Sequence, residues 1–310
     1  MKFRIFIIAG FIFALSACKK DFFDQVPDDR LTDDEVFSRR AESEQFLANV
    51  YNYIKDESDQ TMDNRAPWLG ISDEGDVTYA GQPTYQMNLG NWSWGRDSYN
   101  YWTHYYRGIR AATYFMQRIG ENQEILASEG GAQEVVRLKA EARALRAWFY
   151  ADILKQYGPV IIIPGDEVVE PSVPYSEISY PRSTYDESVD FIVNELDKAA
   201  EDLPLWYSGP LQYGRMTKAV CMAIKSRVLL YAASPLWNGN TDYSDFKNLD
   251  GTPLVNTQYD QSKWKRAADA AKDVIDLELF DLYKEYDGNG QIDPFLSYQN
   301  VLLNEWNDEI

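Results

Sequence analysis

The chain has 310 residues, with 30 Lys and Arg against 49 Asp and Glu, and its net charge of -19 would repel a nucleic-acid backbone. A single histidine, His104, excludes multi-histidine metal sites, and two cysteines, Cys18 and Cys221, exclude both a disulfide framework and a four-cysteine metal site. Aromatic residues make up 15% of the chain, so a polar, acidic sequence is also rich in flat rings.

Lys2 and Arg4 precede an apolar run from Ile5 to Leu15 that is too short to span a bilayer as a helix, and the pattern reads as a secretory signal. Leu15-Ser16-Ala17-Cys18 resembles the bacterial lipobox. That resemblance implies a diacylglycerol on the Cys18 sulfur, cleavage that leaves Cys18 first, and acylation of its amine. Several acyl chains on one residue pass the threshold for stable anchoring, so the expected mature chain is anchored rather than spanning. Residues 1–17 are therefore expected to be a signal peptide, 18–31 a lipidated polar tether, and 32–310 a helical domain.

Thr32-Asp33-Asp34-Glu35 is a capping box and predicts a helix running to about Lys55, with Val36, Leu47, Val50, Tyr51 and Ile54 available for burial. Trp102, Tyr105, Ile109, Ala112, Met116 and Ile119 recur at helical spacing, with Gly120 as the stop. Val135, Leu138, Ala142, Leu145, Phe149 and Ile153 form a second stripe ended by Gly158-Pro159. Val160 to Ile163 is apolar and β-branched, either one strand or an extended buried segment. Ser183 or Thr184 caps a helix ending before Pro204, Thr217 opens another closed by Pro235, and Trp264, Ala267, Ala271, Val274 and Ile275 mark a further one. The fold is thus expected to be mostly α. Paired helices with small packing residues resemble tetratricopeptide units, although the long insertions leave an irregular bundle open.

Six segments in register resemble the SusD/RagB family of outer-membrane nutrient-binding lipoproteins. They are Cys18 with Phe22-Phe23-Asp24-Gln25-Val26-Pro27; Glu35-Val36-Phe37 through Asn49-Val50-Tyr51; Glu141-Ala142-Arg143-Ala144-Leu145-Arg146-Ala147-Trp148-Phe149-Tyr150 with Tyr157-Gly158; Pro181-Arg182-Ser183-Thr184-Tyr185-Asp186-Glu187; Gly214-Arg215-Met216-Thr217-Lys218; and Trp264-Lys265-Arg266-Ala267-Ala268. Pro159 departs from the pattern, which commonly has an acidic residue before a proline. The resemblance implies tetratricopeptide-like helix pairs stacked in a superhelix and facing a TonB-dependent transporter of the SusC type. It also implies capture of an oligosaccharide or peptide at the outer face of the outer membrane. Family members are usually much longer, so the sequence is expected to hold the N-terminal part of the family fold.

Asp73, Glu74 and Asp76 lie in a glycine-flanked loop, followed by Asn88-Leu89-Gly90-Asn91-Trp92-Ser93-Trp94 and Asp97. Sugars present apolar C–H faces and hydroxyl edges, and exposed rings beside amides and carboxylates suit both. Asp73, Asn91, Trp92 and Trp94 are accordingly the expected ligand contacts, with one of the two indoles facing in and the other out. The same acids raise the alternative of a lipid-anchored helical glycosidase, which needs two carboxylates flanking the scissile bond. A scaffold that binds only proteins is the other alternative. The expectation is binding without catalysis and without a cofactor or metal.

Glu285-x-Asp287-x-Asn289-Gly290-Gln291-Ile292-Asp293 mimics a calcium loop, but Leu296 stands where a bidentate glutamate is required and Pro294 intrudes, so a turn is expected. Cys221 is expected to be a small buried hydrophobe, and His104 structural or at the surface with no evident pairing partner.

Overall fold

A computed structural model describes residues 31–55, 68–73, 75–93, 99–166, 168–209 and 212–303. Cys18 and Trp94 lie outside the described residues.

The capping box forms as expected: Thr32 Oγ1 accepts from the Glu35 amide at 3.3 Å, and Glu35 accepts from the Thr32 amide at 2.8 Å. The helix it starts stops after six residues, α1 being Asp33–Ser38, and a second helix, α2, runs Arg40–Tyr51. The single long helix expected from the sequence is therefore two. Arg39 between them is extended, at φ -110° and ψ 138°. The fully buried Asn122 stabilises the break, donating to the Arg39 carbonyl at 3.0 Å and to Ser43 Oγ at 2.9 Å. Glu124 accepts from the Arg40 amide, an otherwise unpaired donor at the start of α2.

The short α3, Pro83–Asn88, precedes the long helix α4, Trp102–Arg118. A one-turn α5, Gln123–Leu126, leads to α6, Gly131–Tyr157. A short α7, Tyr175–Ile178, lies before α8, Tyr185–Asp202, which Thr184 rather than Ser183 caps, with Glu187 completing a second capping box. Helices α9, Lys218–Ala233, and α10, Ser262–Ile275, follow. The chain then forms strands β1, Glu285–Tyr286, and β2, Ile292–Asp293, paired antiparallel, and helix α11, Pro294–Leu303.

Helix α4 packs on α6, α6 on α8, α8 on α9 and α9 on α10. Each long helix thus rests chiefly on its neighbours in the series, which is the quasi-one-dimensional logic of a stacked helical repeat. The fold is mostly α and tetratricopeptide-like, with long insertions between the helices. Its core runs through the predicted stripes of α4 and α6, with Ile109, Leu138, Leu145, Phe149 and Ile153 buried, and also takes in Phe115, Ile192 and Leu196. The stripe on α10 is displaced from expectation: Ala267 and Ala270 are buried, whereas Ala271 and Ile275 are exposed.

Val160 to Ile163 is an extended segment and not a strand. Tyrosine and serine hydroxyls replace the partner a strand would need. Tyr106 Oη accepts from the Ile161 amide at 2.9 Å and donates to its carbonyl at 2.8 Å. Tyr150 Oη accepts from Ile163, and Ser188 Oγ accepts from Val160. Gly158, at φ 71°, makes the preceding turn, where an added Cβ would stand 3.0 Å from the Trp237 ring.

Two charged networks clamp the stack. Glu141, fully buried, accepts from Tyr51 Oη at 2.9 Å, from Arg215 at 2.9 and 3.0 Å, from Tyr207 Oη at 3.3 Å and from Arg137. It joins α6 to α2 and to the segment before α9. Arg146, only 3% exposed, donates to Glu195 on α8 at 2.5 Å and to Asp166 at 2.6 Å, while Arg143 donates to the same two acids. Burial alone would raise the Asp166 carboxyl, but the two guanidinium groups hold it below the usual carboxylate range.

His104 is half-buried rather than unpaired: its ring nitrogen lies 2.9 Å from the Tyr53 carbonyl, and the Tyr53 ring is 5.2 Å away. Burial pushes its pKa down. Cys221 is buried on α9, and burial pushes its thiol up to about 12, the behaviour of a small hydrophobe.

In the β1–β2 hairpin, Asp287 accepts from the Asn289 and Gln291 amides at 2.8 and 2.9 Å. Asp293 caps α11 through the Phe295 and Leu296 amides. The segment is a turn and a helix start: Asp287 and Asp293 serve the backbone, and Glu285 accepts from Tyr283 Oη and Asn300 Nδ2.

Candidate functional site

Of the expected site residues, Asp73, Asn91 and Trp92 are described, and they lie in the stretches on either side of α3, which form a small shelf around it. Pro83 sits in its first turn, where a missing amide hydrogen costs nothing. The preceding chain turns at Leu69–Ile71 and passes so close to α3 that a Cβ on Gly70 would stand 2.7 Å from a Thr84 methyl. Asn88 ties the layers together: its Nδ2 donates to the Gly70 carbonyl at 2.8 Å and to Asp76 Oδ1 at 3.1 Å. Asp76 also accepts from the Val77 amide, and Gln86 donates to the Ala80 carbonyl.

Beyond α3 the chain reverses at Gly90, whose φ of 73° a side chain rarely adopts. Asn91 is thereby folded back onto the helix, its backbone amide donating to the Gln86 carbonyl at 2.9 Å and its Nδ2 to Gln86 Oε1 at 3.0 Å. The shelf is fixed to the helical stack from below. Buried Thr84 shares a 2.9 Å hydrogen bond with Tyr99 Oη. The Tyr99 carbonyl in turn accepts from Gln156 and from Tyr157 Oη, at the C-terminal end of α6.

The top of this braced unit carries exposed rings. Trp92 is 58% exposed and Tyr79 is 70% exposed, an exposure that burial in a core would not leave. Asp73 and Asn91 are exposed as well. Asp73 thus lies before α3 and Asn91 and Trp92 just after it, all three exposed. Sequence reasoning missed Tyr79, Asn88 and Gln86. The turn signal Ala80-Gly81 followed by Pro83 marked a helix start after Tyr79, but nothing local showed that the ring points to solvent. The bracing roles of Asn88 and Gln86 depend on segments up to 18 residues away in sequence.

Among the described residues no three or more His, Cys, Asp or Glu side chains are placed to hold a metal ion, and no helix is long and apolar enough to cross a membrane. Asp76 is committed to the Asn88 side chain and the Val77 amide, so what the shelf offers is stacking surface and hydrogen-bonding groups.

The SusD-like family described as "Starch-binding associating with outer membrane" matches residues 21–230. A SusD-like protein of Bacteroides ovatus is 24% identical over 99% of this chain and 51% of its own length. Among solved structures, the protein named BT4246 superposes with a TM-score of 0.63 at 27% identity, covering 84% of this chain and 43% of that one. A laminarin-binding SusD-like protein superposes with a TM-score of 0.56 at 18% identity, over 82% of this chain and 46% of its own, a likeness of fold alone. The chain spans about half the length of the relatives it matches.

Proposed function

The chain belongs to the SusD-like family, and on that premise we propose that it captures an oligosaccharide at the surface of the outer membrane, without cleaving it, and passes it to a TonB-dependent transporter of the SusC type. The observation that carries this reading is an exposed indole, Trp92, on a segment tied to the helical stack by side-chain hydrogen bonds. A ring held open against the tendency of apolar surface to be buried is ready to stack on a sugar face without ordering a mobile loop first. Asn91, next to it in the chain, and the exposed Asp73 would serve as partners for hydroxyl groups. The description of the matching family, starch-binding, supports the ligand class. Anchoring through Cys18 would hold the shelf at the membrane, and the helix pairs between about Glu134 and Leu279 would supply the surface for the transporter. A standard-size interface of that kind buries on the order of 1,600 Å².

The test is binding of neutral glucose oligosaccharides, α- and β-linked, to the chain and to Trp92→Ala, with circular dichroism as the folding control. The expected outcome is a folded variant with affinity lowered roughly 30-fold, the equivalent of about 2 kcal/mol for a ring at a hot spot. Unchanged affinity would place the site elsewhere, and glycan cleavage by the pure chain would replace capture with turnover. Isolation from native membranes in mild detergent is expected to bring a transporter barrel with it, and its consistent absence would refute the partnership.

A further inference from the structure

A cavity lies between α6 and α9, and none of its lining residues belongs to the shelf. Its volume is about 260 Å³, close to the room one pyranose ring and a few waters need and just under the usual range of small-ligand sites. Trp148, Asp152 and Lys155 on α6 line one wall. Their spacing of four and then three residues puts them on one helix face. Arg227 and Tyr231 on α9 line the other, also four residues apart, and the small Ala151 and Ala223 leave the gap between.

The charge of this cavity is unlike that of the chain. Lys155 and Arg227 outnumber the one lining acid, Asp152, in a protein whose net charge is -19. Asp152 pairs with Lys155 at 3.3 Å. Arg227 is exposed and makes no ion pair or hydrogen bond within the described structure, so the cavity holds an uncompensated guanidinium. Arg is the residue whose planar donors match a carboxylate with two parallel hydrogen bonds. Tyr231 is 46% exposed, and Trp148 is half-buried. Lys155 also stands over the ring of Trp68, 5.0 Å from its centroid, and Trp68 begins the stretch that carries the shelf.

Rings for a sugar face, one acid for hydroxyl groups and an unpaired guanidinium together specify a carboxylate-bearing saccharide. We propose that the α6–α9 cavity is a subsite for an acidic sugar of the uronic type, its carboxylate on Arg227 and Lys155 and its ring against Trp148 and Tyr231. The proposal deepens the capture reading and rests on it: the glycan then carries acidic units, and the protein reads them at a place distinct from Trp92.

Calorimetric titration of the full chain with an oligogalacturonide, beside a neutral glucose oligosaccharide of equal length, tests this. The expected result is tighter binding of the acidic oligosaccharide, weakened by added salt. Arg227→Gln should lower that affinity about tenfold, the loss of one charge-assisted contact, and Tyr231→Ala should lower it as well. Both residues are at the surface, so both variants should fold. Neutral-glycan binding at Trp92 should not change in either. Equal affinity of wild type for acidic and neutral oligosaccharides, or full retention of acidic binding in Arg227→Gln, overturns the subsite and leaves the capture reading standing. Failure of the chain to bind either oligosaccharide overturns both. Loss of neutral binding in Arg227→Gln would show one undivided site and also overturn the proposal.

Discussion

The helical stack and the α3 shelf use the same residue types in opposite ways. In the stack, the buried charged groups converge on partners: Glu141 takes hydrogen bonds from two arginines and two tyrosines, and Arg146 reaches two acids. Rings there pack on rings, as Tyr185 does on Trp237 with centroids 4.1 Å apart. On the shelf the amides of Asn88 and Asn91 brace the backbone, while Trp92 and Tyr79 stand in solvent. The contrast separates holding from binding. A buried polar group is retained where its removal would strand its partners, whereas an exposed ring on a braced frame contributes nothing to its own fold and is free to contact a ligand.

The sharpest way to break that comparison is Glu141→Ala. It leaves Arg215, Arg137 and two tyrosines without their common acceptor, and removal of one partner of a buried ion pair typically costs about 3 kcal/mol or more. A large fall in the unfolding midpoint is the expected outcome, measured by thermal or denaturant melts. A loss under about 1 kcal/mol would make the cluster an ordinary surface network. Trp92→Ala should do the reverse, leaving the midpoint within about 0.5 kcal/mol of wild type, as for a surface substitution. A marked destabilisation would show that the indole is packed and that the two regions do not differ in kind.

The smallest effect concerns His104, packed beneath Tyr53. Burial lowers its folded pKa below the unfolded value of about 6.5, so the unfolded chain binds the proton more readily. The stability this provides is fully present above that pH and is lost as pH falls through the folded pKa. His104→Gln should therefore flatten the decline in unfolding midpoint between roughly pH 7 and pH 5. An identical slope in the variant would show that the ring is as well solvated when folded as when unfolded.

Local pattern was enough for the long helices α4 and α6. The capping box at Thr32, the stripes on α4 and α6, and the stop at Gly158 depend on neighbours within a few residues, and they are legible for that reason. The break at Arg39 was not, because the groups that stabilise it, Asn122 and Glu124, lie more than 80 residues away. Val160 to Ile163 left two readings open for the same reason: only the positions of Tyr106 and Tyr150 decide that hydroxyls, and not a strand, satisfy its backbone.

For the candidate site the division is similar. The sequence alone determined that amides, acids and indoles cluster between residues 71 and 97, since composition and spacing are local properties. It did not determine which side of a ring meets water, because exposure is set by what the rest of the chain covers. The tertiary structure decided that Trp92 and Tyr79 stand out while Tyr99 lies beneath them on the end of α6. It alone also brought Lys155 and Arg227 to one cavity, 72 positions apart in sequence and on helices that meet only once the stack has formed.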